Sequence, residues 1–127
     1  MRATLRFRQG DDRGAAAVEM ALVLPLLLLM LFGIIDFGRM FNAQIALTEA
    51  AREGARAESL GAAGAARIEA VLGVGVATPV IETCPDVPGA EDNATVELTQ
   101  AFDPVTPLGP MVGGIILTAT GVMPCAG

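Results

Sequence analysis

Side-chain catalysis draws on few arrangements: a nucleophile beside a base, a metal cluster, or two carboxylates tuned apart in a pocket. This 127-residue chain has no histidine, lysine, tyrosine or tryptophan, and its single serine is Ser59. The glycines of GVGVATP (residues 73–79) have the wrong spacing for a dinucleotide loop and lead into apparent strand. Asp86, Glu91 and Asp92 form an acidic loop outside the EF-hand register, so solvated loop charge is the expected reading. Asn93-Ala94-Thr95 matches a glycosylation sequon, a pattern too short to weigh without knowing the cell type. A zinc site would have to combine Cys84 and Cys125 with carboxylates, a poor match to the usual ligand sets. No enzyme, cofactor, metal or small-molecule substrate is expected. What remains is one carboxylate, Glu19, in the stretch RGAAAVEMALVLPLLLLMLFGIIDFGR.

That stretch sets the architecture. Ala15 to Ile35 is a run of 21 residues whose only charge is Glu19. At about 1.5 Å per residue, a helix of this length spans a hydrocarbon layer of about 30 Å. A domain this small could hardly cover such a helix in water. A cleaved secretory signal fits less well, since its apolar region is shorter and ends at a small-residue site. Here the run continues into Asp36, Phe37, Gly38 and Arg39, with Asp36 and Arg39 expected at the outer interface. Arg2, Arg6, Arg8 and Arg13 precede the span, which predicts an amino terminus retained inside. Beyond the span eleven acids face four arginines. The exported part is therefore acidic and has no basic patch for nucleic acid.

The predicted organisation is a leader over residues 1–14, a long helix over 15–60 and a small extracytoplasmic α+β domain over 61–127. The helix divides into a transmembrane part, 15–35, and a projecting part, 36–60, with Pro25 expected to kink it or weaken one turn. Gly61 and Gly64 should end it. Ala43, Ala46, Ala50, Gly54, Ala57 and Gly61 recur every three or four residues. They form either a stripe for close approach by another helix or a face under no packing demand. Glu49 with Arg52, and Glu53 with Arg56, are expected as (i, i+3) pairs. Ala65 to Leu72 reads as a short second helix. Three short strands follow, at about Gly75–Glu82, Thr95–Phe102 and Ile115–Met123, in a small antiparallel sheet. Both cysteines fall on the exported side. A Cys84–Cys125 disulfide is the expected state and two buried thiols the alternative.

Gly14 followed by Ala15-Ala16-Ala17-Val18-Glu19 resembles the class III signal of type IV pilin-like proteins: a basic leader, a glycine, then glutamate fifth in the mature chain. More specifically, Arg13 to Ala57 resembles the amino-terminal region of TadE-like pseudopilins of the tight-adherence (Tad, Flp-type) pilus system. Phe102 to Leu108 and the following Ile-Leu-Thr-Ala-Thr strand also resemble the carboxy-terminal part of such proteins. Met20 departs from the glutamate-tyrosine pair of the major pilins, and the chain is longer than those, which points to a minor pseudopilin. The resemblance implies cleavage by a prepilin peptidase between Gly14 and Ala15. It also implies pairing of Glu19 with the terminal amine of a neighbouring subunit, and partners among other pilins, pseudopilins and the pilus assembly platform. The protein would then be a single-pass protein of a bacterial cytoplasmic membrane, with its domain outside, either held at the base of a pilus or incorporated in it. A first-turn glutamate that merely caps the helix and reaches the headgroups is the plainer reading of Glu19. The competing function is an uncleaved, signal-anchored protein whose outer domain binds an envelope component.

Overall fold

The computed structural model describes residues 12–89, 91–107, 109 and 113–126, with side chains from residue 14 onward. The expectations for residues 1–11 lie outside these. Five elements follow in order: α1 (Asp12–Ser59), α2 (Gly64–Leu72), β1 (Thr78–Glu82), β2 (Asn93–Phe102) and β3 (Ile115–Pro124). The strands form one antiparallel sheet in the order β1-β2-β3, so the class is α+β as expected. The chain divides into two units, one ending at Ile35 and the other beginning at Asp36.

Within the first unit, α1 already starts at Asp12, three residues earlier than the apolar run suggested. From Gly14 to Leu31 every side chain is exposed, Leu22, Leu26 and Leu27 among them. Such a continuous apolar surface calls for a nonaqueous cover, and α1 is long and apolar enough to cross a membrane. Pro25 lies inside the helix, which runs on through it.

In the second unit α1 ends in a Schellman turn. Gly61 adopts φ +74°, its N–H donates to the Glu58 carbonyl at 3.0 Å, and Ala62 N–H donates to the Ala57 carbonyl at 2.9 Å. Gly64 does not help to end α1: it opens α2. Its N–H donates to Glu58 Oε1 at 2.7 Å. A Cβ there would stand 2.8 Å from the Gly54 carbonyl, so only glycine lets the two helices approach this closely.

β1 is shorter than expected, since Gly73 and Gly75 hold positive φ and the chain pairs with β2 only from Thr78. As an edge strand it tolerates Pro79, which lacks a ladder donor. Central β2 alternates as its sequence predicts. Ala94, Val96, Leu98 and Phe102 are buried, while Glu97 and Ala101 are exposed. In β3 Leu117, Ala119 and Gly121 face inward, opposite Gln100, Leu98 and Val96.

This inner sheet face shares a core with Leu47, Ala50, Ala51 and Ala55 of α1 and Ile68 of α2. The small-residue stripe thereby acquires an occupant that neither sequence reading named. Ala50 and Gly54 are buried within the domain itself. A Cβ on Gly54 would press on Ile68 at 2.7 Å, and one on Gly121 would run into the Ala51 carbonyl. Small side chains on both elements let strand and helix backbones meet.

Candidate functional site: the apolar helix and its exit turn

Gly14, Ala15 and Glu19 all lie on α1, exposed. Among the described residues Glu19 makes no ion pair and no hydrogen bond. At this edge of the apolar run a carboxylate is easier to accommodate than at the bilayer centre, and a nearby amine would favour it further.

At the other edge, Asp36 and Arg39 are drawn into contacts that the sequence gave no sign of. Asp36 Oδ1 accepts a hydrogen bond from Val105 N–H at 3.2 Å, and Oδ2 accepts one from the Thr106 hydroxyl. Arg39 stands 3.7 Å from Asp36 Oδ1 and 5.5 Å over the Phe102 ring. Such a cation over an aromatic face contributes about 0.5–1 kcal/mol where exposed. The loop between β2 and β3 is thus tied to the first turn after Ile35. No local signal could have revealed this, because the partners lie about 70 residues apart. Phe37 and Phe41, one turn apart on the exposed side, stack with centroids 6.5 Å apart.

Away from the exit turn, the expected Cys84–Cys125 disulfide is present, with Cα atoms 5.9 Å apart. Cys125 N–H donates to the Asp92 carbonyl and Ala126 N–H to the Ser59 carbonyl, so the chain's last described residues lie against the end of α1. Beside the bridge is an open cleft of about 600 Å³, lined in part by Glu58, Ser59, Thr83 and Asp86. Ser59 Oγ donates its proton to the Arg56 carbonyl, a backbone contact and not the side-chain base that a nucleophilic pair needs. Asp92 Oδ2 accepts a hydrogen bond from Gly89 N–H at 2.6 Å, an ordinary turn contact. Among the described residues no cluster of acids or cysteines is arranged to hold a metal.

The ion pairs also shift from expectation. Glu53 meets Arg56 at 4.0 Å as predicted, but its shorter contact, 3.2 Å, is to Arg67 of α2. Glu49 and Arg52 form no ion pair among the described residues.

A long helix with a fully exposed apolar stretch, joined to a small disulfide-closed α+β domain, defines a single-helix membrane protein with an appended domain. Residues 14–56 match the family model of TadE-like proteins, so α1 carries the TadE-like signature of this chain. The match associates the protein with the tight-adherence pilus system. It lies wholly within α1 and does not reach the strands. No curated protein and no solved structure matches the chain.

Proposed function

We propose that the protein is a minor pilin or pseudopilin that serves in assembling or anchoring a Tad-type pilus for adherence, with no catalytic role of its own. The observation that carries this reading is the TadE-like match over residues 14–56, which starts at the glycine of the processing motif. On this reading a prepilin peptidase cuts between Gly14 and Ala15. The new α-amino group lies four residues from Glu19, and the glutamate pairs with the amine of a neighbouring subunit as helices pack. The amino terminus stays inside and the α+β domain faces out. Other pilins, pseudopilins and the assembly platform are its partners. Glu19 is available for such a contact, since among the described residues it has no polar partner.

Mass spectrometry of the membrane-extracted protein, from cells with and without an active prepilin peptidase, tests the proposal. The expected result is a chain beginning at Ala15 only where the peptidase is active. A chain that keeps residues 1–14 in both strains would overturn the processing step and leave a simple anchored protein.

A further inference from the structure

We propose that Asn93 carries an asparagine-linked glycan, taken from a lipid-linked oligosaccharide by a membrane transferase on the outer side. The proposal rests on the reading that the α+β domain faces out. Asn93-Ala94-Thr95 has the acceptor spacing, with no proline at its middle or directly after it. Bacterial transferases of this class also read an acid two residues before the asparagine, and Glu91 stands there. The five-residue pattern is narrower than the triplet alone.

The fold displays this asparagine. β2 begins at Asn93, whose side chain is exposed, while that of Ala94 is fully buried. By alternation Asn93 shares a face with Thr95, Glu97 and Thr99, opposite the face that packs on α1 and α2. On that outer face Val122, 54% exposed, stands across from Thr95, and exposed Pro124 stands across from Asn93. A glycan there would cover apolar side chains otherwise open to water. Asn93 Nδ2 donates to the Glu91 carbonyl at 3.0 Å. The free amide has two such hydrogens and the modified amide keeps one, so glycosylation leaves this contact intact.

In the transfer, Asn93 Nδ2 attacks the anomeric carbon of the first sugar. The C–N bond forms as the C–O bond to the lipid pyrophosphate breaks, one amide proton is released, and the lipid pyrophosphate leaves. Thr95 is paired with both Glu82 and Val122, so the transferase meets this segment before β2 joins the sheet.

Mass spectrometry of the protein extracted from its own cells tests the proposal. Cutting after glutamate releases residues 92–97, in which Asn93 is the one asparagine and Thr95 the one hydroxyl side chain. The expected result is a fragment heavier by several sugars, attached at Asn93. The excess is lost from the intact mass of Asn93→Gln and Thr95→Ala, kept in Thr95→Ser, and lowered in Glu91→Gln. An unmodified Asn93, or sugar on Thr95 instead, overturns the proposal. Harvesting in a thiol-blocking reagent tells two failures apart, since a closed Cys84–Cys125 bridge reports an oxidising compartment. Unmodified Asn93 with the bridge closed removes the glycan alone, whereas unmodified Asn93 with free thiols removes the outward-facing domain as well.

Discussion

The two stretches of α1 use the same secondary structure in opposite ways. Before Ile35 the helix is rich in leucine, and from Gly14 to Leu31 it buries nothing within the chain. After Asp36 it turns to alanine and glycine, and here it buries Leu47, Ala50, Ala51 and Ala55 completely. Large side chains suit a fluid apolar solvent that conforms to any shape. Small ones suit a fixed neighbour, because contact then depends on how closely two backbones approach. The size of the side chains, more than their hydrophobicity, tells which kind of surroundings each stretch meets.

Cutting the bridge is the strongest way to weaken the packed stretch. Cys84→Ser should lower the stability of the outer domain by about 4 kcal/mol in the chain-entropy model. Chemical denaturation of the detergent-solubilised protein, against the unreduced parent, measures it. A matched pair of truncations comes next: Leu47→Ala should cost about 3 kcal/mol, for a fully buried leucine. Leu27→Ala, 56% exposed, should leave the domain's denaturation midpoint unchanged. Equal effects from the two would erase the distinction between the stretches. The smallest effect belongs to the surface contact between helices. Arg67→Ala removes an exposed pair with Glu53 and should change stability by no more than about 0.5 kcal/mol, read from the same curves.

Much of this division was legible in the sequence because its signals are local. The length of the apolar run, the alternation in β2 and the turn glycines at Gly61 and Gly73 each carry their meaning within a few residues. The small-residue stripe was visible too, but its occupant was not. Gly121 meets Ala51 across the domain, and a glycine in a strand looks the same whether it faces a helix or open water. The role of Gly64 escapes the sequence for the same reason. Its close approach to Gly54 depends on a crossing of two helices that no pattern within either one encodes. On the candidate site, the sequence suggested Glu19 and the glycine before Ala15, yet gave no hint that Asp36 would hold the loop between β2 and β3.

The bond from Ala126 N–H to the Ser59 carbonyl fixes where Ala126 lies. Ser59 lies 23 residues along α1 from Asp36, or about 35 Å at the helical rise. A dye attached beside Ala126 would therefore be displayed next to Ser59, that distance along α1 from the exit turn. For imaging, that attachment point reports on whatever meets the Ser59 end and leaves the Asp36 end unencumbered.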